Sequence, residues 1–208
     1  MTKVKICGLK TPEDIAAVNA VHPDYAGFVF YEKSRRNVSC ETAAALSRCL
    51  LPEICPVGVF VGSTAEKIAD LYRQGIIRAA QLYGQEDNAF ILRLRETAAA
   101  VQHPGQPPLC IIKAFLVSGE DPAQAATSGA DYVLLDSGYG SGEAFEWGRI
   151  RQFGRPYFLA GGLTPENVKE AIRTLHPYAV DVSSGVETAG SKDPAKIKAF
   201  TEAVRGEE

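Results

Sequence analysis

Cys7, Asp136 and two glycine-rich turns are the residues whose types and spacing could do chemistry. Cys7 closes the run "KVKIC" just before a glycine and a helix start, and Asp136 follows the apolar run "DYVLL" and precedes the Gly-rich "SGYGSG". A thiol and a carboxyl group at one site are the acid and base that a proton-shuffling isomerisation needs. Each also has a plainer reading. Cys7 is equally a small buried hydrophobe, and Asp136 equally a carboxylate that caps a helix or ties down a loop. Gly161-Gly162 in "LAGGL" and Ser183-Ser184-Gly185 in "DVSSGVE" place bare backbone and hydroxyls after two successive apolar runs. Converging amides and a helix N-terminus suit a phosphate, so the two turns together form a candidate phosphate site. Arg35 and Arg36 in "YEKSRRNVS" are either solvated loop charges or a planar fork for a carboxylate. Lys5, Lys113 and Glu187 point toward the same layers without an assignable role.

The elements that must carry these residues repeat along the chain. Apolar, β-branched runs read as strands at 3–7, 25–30, 56–61, 78–82, 109–113, 131–135, 155–159 and 178–182. The intervals leave room for one helix and two short loops each. Thr11-Pro12, Asp121-Pro122, Thr164-Pro165 and Asp193-Pro194 each set a capping oxygen before a proline that supplies helical φ. Ser63 with Glu66 has capping-box spacing. Helical period follows in Val168, Ala171, Ile172 and Leu175, and again in Ile197, Phe200 and Val204. Strands this continuously apolar fit a parallel sheet covered on both faces. Eight such units close as a (β/α)8 TIM barrel or open as a doubly wound sheet. The absence of GxGxxG after the first strand and the near-regular spacing favour the eight-stranded parallel barrel, as a single domain over 1–208. In that fold chemistry gathers at the C-terminal strand ends, and the loops after strands seven and eight are its phosphate position.

Composition excludes other classes. The 208 residues are 46% hydrophobic and 23% charged with a net charge of −3, which gives no reason to expect nucleic acid or a membrane surface as partner. No apolar stretch approaches a bilayer span and no signal-peptide core follows the start, so a cytoplasmic location is expected. The five cysteines lack CxxC spacing. Cys40, Cys49, Cys55 and Cys110 are expected to be small buried hydrophobes. His103 lies in a Pro-rich loop and is expected to face solvent.

Taken in order, "KVKICGL", "GFVFYEKSRRNVS", "VGVFV", "QLYGQE", "LLDS", "FLAGGLTPENV" and "DVSSGVET" with "GSKD" resemble the phosphoribosylanthranilate isomerase family across the whole chain. The resemblance implies a single-domain barrel of tryptophan biosynthesis that performs an Amadori rearrangement of N-(5-phospho-β-D-ribosyl)anthranilate, without metal, cofactor or obligatory protein partner. It implies Asp136 as general acid, Cys7 as general base and Arg36 as holder of the anthranilate carboxylate. It likewise implies Gly161, Gly162, Ser183, Ser184 and Gly185 as the phosphate cradle, with Asp181 touching substrate less directly. A thiol titrates near ~8.5, so a modest downward shift of Cys7 would provide a usable thiolate. Tyr83 stands where the family commonly has histidine, and "FEW" at 145–147 replaces "FDW". Two alternatives remain. The sister isomerase of histidine biosynthesis is longer and places an aspartate where Cys7 stands. A non-catalytic phosphometabolite-binding barrel would keep the glycine turns and lose Cys7 or Asp136.

Overall fold

The computed structural model describes residues 1–117, 122–136 and 153–206. Asp121 of the second Pro-headed helix start, the "SGYGSG" stretch and Phe145-Glu146-Trp147 lie outside the described residues. Eight parallel strands, β1 (Lys3–Cys7), β2 (Tyr25–Phe30), β3 (Cys55–Phe60), β4 (Ala79–Leu82), β5 (Cys110–Leu116), β6 (Tyr132–Asp136), β7 (Tyr157–Ala160) and β8 (Ala179–Val182), close into a barrel in sequence order. Each boundary lies within about three residues of the sequence expectation, the longest departure being β5, which runs on to Leu116. Helices α1 (Pro12–Val21), α2 (Cys40–Ser47), α3 (Ala65–Arg73), α4 (Asn88–Ala100) and α5 (Pro122–Ala126) follow β1 to β5 in turn, and α6 (Val168–Leu175) and α7 (Pro194–Arg205) follow β7 and β8.

Local chemistry explains most helix starts. Thr11 accepts from the Asp14 amide while the Asp14 carboxylate takes the Thr11 amide, a reciprocal cap that satisfies two otherwise orphaned donors. Asp193 caps α7 by accepting from the Ala195 and Lys196 amides. Two expected starts are displaced. The cap of α3 is Thr64, which accepts from Lys67, not Ser63. Thr164-Pro165 opens a turn instead of a helix, because the Asn167 side chain takes the Thr164 amide and reaches back to the Gly162 carbonyl; α6 begins only at Val168.

Burial divides into two shells. Outward strand residues and inward helix residues, including Val168, Ala171, Ile172, Leu175, Ile197, Phe200 and Val204, form the layer between barrel and helices. Val57, Ala79, Ile112, Ala114, Leu134, Phe158, Ala160 and Ala179 fill the barrel itself, so the barrel is packed and not a pore. The expectation for the spare cysteines is corrected: Cys49 is exposed just beyond α2, and Cys40, Cys55 and Cys110 are only partly buried. Cys55 and Cys110 stand at the first positions of β3 and β5, at the barrel's N-terminal rim. His103 is exposed, as its loop position implied.

Candidate active site

Strand alternation decides which side chains enter the barrel. Lys5 points inward and donates to Asp181 Oδ2 at 2.9 Å across the β1–β8 pairing, so Cys7, two residues on, points inward as well. Leu134 belongs to the inner core, which sends Asp136 inward at the end of β6. Gln81 faces inward from β4 by the same count from Ala79. The C-terminal mouth therefore gathers Cys7, Gln81, Asp136 and Asp181 from four strands.

Gly27 makes room for the thiol. It pairs in register with Cys7, and a Cβ there would lie 2.7 Å from Cys7 Sγ. Gly8, at φ +84°, lets the Arg36 side chain lie directly over the turn that follows Cys7, where a Cβ would collide with the Arg36 Cδ. The Arg36 stem is consequently held against the turn that follows β1.

Charge around the thiol is finely opposed. Burial pushes the Cys7 thiol up, while the Lys5 ammonium and, more weakly, Lys192 pull it down; burial wins, which corrects the expectation of a downward shift. Lys5 is fully buried, and despite that burial Asp181 and Cys7 hold it protonated. Asp181 is pushed up by its own burial against the pull of Lys5. Its Oδ1, like Gln81 Oε1, is buried with no hydrogen-bond partner. Two orphaned acceptors inside one barrel are costly in a finished core and useful where a ligand's hydroxyls arrive. The Tyr83 hydroxyl donates to Asp136 Oδ2. Burial first, then the negative field of Asp136, Asp181 and Cys7, keeps that phenol protonated, so these four groups share one site.

The two glycine turns meet. Gly161 and Gly162 adopt φ of +93° and +61°, the left-handed backbone open to glycine. Gly185, in the 3-10 turn Ser184–Val186, presses so closely on the Leu163 carbonyl that no Cβ could fit. Ser183 points elsewhere: its hydroxyl donates to the Cys7 carbonyl at 2.9 Å, tying the β8 loop to the end of β1.

Several residues were not foreseen from sequence. Lys192, its side chain almost fully buried, donates to Ser183 O at 2.8 Å and to Glu187 Oε1 at 3.0 Å. Glu187 in turn takes Arg36 Nε at 2.7 Å and Nη2 at 2.9 Å. Gly27 carried a signal, since a glycine inside a strand marks a close approach; Lys192 carried none. Lys113 is corrected: it sits between the inward residues Ile112 and Ala114, so it faces out of the barrel. Its ammonium binds Gly84 O at 2.6 Å and Glu86 Oε2 at 3.4 Å. Among the described residues no three His, Cys, Asp or Glu side chains are grouped to hold a metal. Nor is any helix there long and apolar enough to cross a membrane.

Fold and site together define a (β/α)8-barrel enzyme with its ionisable groups collected at the C-terminal mouth. Comparison with known proteins narrows this. Residues 4–203 match the family model described as N-(5'-phosphoribosyl)anthranilate (PRA) isomerase. The chain is similar to the N-(5'-phosphoribosyl)anthranilate isomerase of Lacticaseibacillus casei strain BL23, 44% identical over 96% of this chain and 93% of that one. The crystal structure of phosphoribosyl anthranilate isomerase from Thermotoga maritima superimposes with a TM-score of 0.85 at 40% identity, covering 99% of this chain and all of that one. A further isomerase structure, in complex with reduced 1-(o-carboxyphenylamino)-1-deoxyribulose 5-phosphate, gives 0.82 at 39% identity over 99% and 100% of the two chains. The chain belongs to the N-(5'-phosphoribosyl)anthranilate isomerase family. It is an isomerase of tryptophan biosynthesis.

Proposed function

We propose that the reaction of this isomerase, the Amadori rearrangement of N-(5-phosphoribosyl)anthranilate, runs between Cys7 and Asp136. Asp136 gives its proton to the ribose ring oxygen, the bond from that oxygen to C1 breaks, and the substrate's own nitrogen forms the Schiff base. Cys7 as thiolate takes the proton from C2, and the electron pair moves to give an enolamine. Protonation at C1 and loss of the hydroxyl proton at C2 then yield the ketone, 1-(2-carboxyphenylamino)-1-deoxyribulose 5-phosphate. A general acid or base of this kind contributes about 10²–10⁴-fold.

The rest of the mouth supports these roles. Tyr83 fixes the Asp136 carboxyl by hydrogen bonding. The ammoniums of Lys5 and Lys192 favour the thiolate against its burial. Arg36 takes the anthranilate carboxylate, and Gly161, Gly162, Ser183, Ser184 and Gly185 take the phosphate; Ser183 contributes backbone there, its hydroxyl being engaged with Cys7. Asp181 and Gln81 offer their unpaired oxygens to sugar hydroxyls. The complex of the related isomerase with a reduced carboxyphenylamino-deoxyribulose phosphate supports a ligand of this class. The chain acts as one catalytic domain over 1–208, in the cytoplasm, with the small phosphorylated sugar as its partner; five free thiols suit a reducing compartment.

The observation that carries the reading is the inward Cys7 sulfur, given space by Gly27 and close enough to Asp136 for both to act on the Tyr83 phenol. The test is to follow the loss of phosphoribosylanthranilate fluorescence with the purified protein. Turnover that collapses in both Cys7→Ala and Asp136→Asn is the expected outcome. Binding of the substrate without turnover by the unmodified protein would favour a non-catalytic phosphometabolite-binding barrel.

A further inference from the structure

A guanidinium has two edges able to grip a carboxylate, Nε with one Nη, and the two Nη together. Glu187 occupies the first edge of Arg36, with Nε to Oε1 at 2.7 Å and Nη2 to Oε2 at 2.9 Å. The carboxylate itself is held from behind. Lys192 Nζ donates to Oε1 at 3.0 Å and Arg35 Nη2 to Oε2 at 3.0 Å. Burial alone would raise the Glu187 carboxyl, yet the Arg36 and Lys192 contacts hold it down to about 2, so it stays charged throughout the working range. Only 6% of its side chain is exposed, so the contact is no casual surface pair.

Lys192 continues the chain of bonds. It donates to the Ser183 carbonyl at 2.8 Å, and the Ser183 hydroxyl donates to the Cys7 carbonyl at 2.9 Å. The arginine of the β2 loop, the β8 loop and the backbone of the thiol are thereby joined through one carboxylate. Gly8 completes the seat, because a side chain there would displace the Arg36 stem.

We propose that Glu187 is a positioning residue that sets the enzyme's selectivity for a carboxylated aglycone. It fixes the rotamer of Arg36 so that the substrate's carboxylate meets a guanidinium already held in one orientation. The inference rests on the reading of Arg36 as the carboxylate holder and adds the residue that makes that grip selective. In its absence Arg36 swings toward solvent and the carboxylate loses its directed partner, while Lys192 keeps its bond to the Ser183 carbonyl and the β8 loop its tie to Cys7.

The test uses two ligands, the reduced product 1-(o-carboxyphenylamino)-1-deoxyribulose 5-phosphate and the same molecule lacking the carboxylate. Dissociation constants are measured for wild type, Glu187→Gln, Glu187→Ala and Arg36→Met, with KM and kcat for phosphoribosylanthranilate. Both Glu187 variants are expected to weaken the carboxylated ligand about tenfold and leave the other within about twofold, the loss of a charged hydrogen-bonded contact. KM should rise by a similar factor, with kcat falling less than about threefold. Unchanged binding of the ligand without a carboxylate shows that each variant is folded and keeps its phosphate turns. Wild-type discrimination retained in both Glu187 variants, while Arg36→Met loses it, overturns the role of Glu187 and leaves that of Arg36 standing. Discrimination retained in Arg36→Met overturns the reading of Arg36, and the inference with it. Equal losses for both ligands would make Glu187 a general structural prop and also overturn the proposal.

Discussion

The two ends of the barrel are built from the same eight strands, and they handle polar groups in opposite ways. At the N-terminal end the hydroxyls of Tyr25, Tyr132 and Tyr178 bond one another at 3.3 Å and their rings pack around Phe158. Lys3 and Asp24 pair beside them at 2.7 Å. That end is closed and its donors and acceptors are used up within the protein. At the C-terminal end Asp181 Oδ1 and Gln81 Oε1 are buried without partners, the Cys7 thiol is forced toward its neutral form, and Lys5 is sealed inside with a carboxylate. Groups that cost stability there are groups a substrate can satisfy. The barrel thus keeps its tightly paired chemistry at one end and its unmet chemistry at the other.

The contrast can be broken most sharply at the active end. Asp136→Asn removes the transferable proton and keeps the shape; kcat on phosphoribosylanthranilate is expected to fall about 10²–10⁴-fold while the melting temperature stays close to wild type. Gly27→Ala tests the space around the sulfur. The added methyl lies within 2.7 Å of Cys7 Sγ and must push the thiol off line. A displacement of this order costs on the order of 10–100-fold in kcat, against about 1–3 kcal/mol of stability for the overpacking. Titration of surviving thiol in that variant would separate misplacement from unfolding.

Smaller effects distinguish the ends by their response to pH and to loss of a hydroxyl. The Glu187 carboxyl lies at about 2 in the folded protein against an ordinary 4.5, so its contribution is present above 4.5 and is lost as pH falls toward 2. The stability difference between wild type and Glu187→Gln, followed by urea unfolding, should therefore shrink across that window. At the closed end, Tyr178→Phe removes the hydroxyl shared by Tyr25 and Tyr132 and should cost about 1 kcal/mol with kcat unchanged. A large drop in kcat for Tyr178→Phe would mean that the two ends are not independent.

Much of this was legible from the chain. Each strand announced itself as an apolar run, and the Pro-headed starts of α1 and α7 named their caps. The starts of α3 and α6 were harder because two neighbouring hydroxyl residues compete at Ser63-Thr64, and because Asn167 claims the backbone after Thr164. Inward residues at the ends of β1, β6 and β8 follow from alternation once the strands are placed, so Cys7, Asp136 and Asp181 could be read. Lys113 could not, since which phase of β5 turns inward, with Ile112 and Ala114 in the barrel core, is set by packing and not by its continuous apolar run. Nor could the partners of Glu187, which come from the β2 loop and from Lys192 and are joined only by closure of the barrel. The sign of the Cys7 shift was hidden as well, because it is a difference between burial and two ammoniums whose distances no sequence states.

The measurement that bears most directly on the central claim is the fate of the hydrogen at C2. Phosphoribosylanthranilate carrying deuterium at C2 can be converted by wild type and by Cys7→Ala, with deuterium loss and product formation followed together. Cys7 as the base predicts that the alanine variant leaves the deuterium in place and makes product about 10²–10⁴-fold more slowly. Release of deuterium by Cys7→Ala at the wild-type rate would contradict the account.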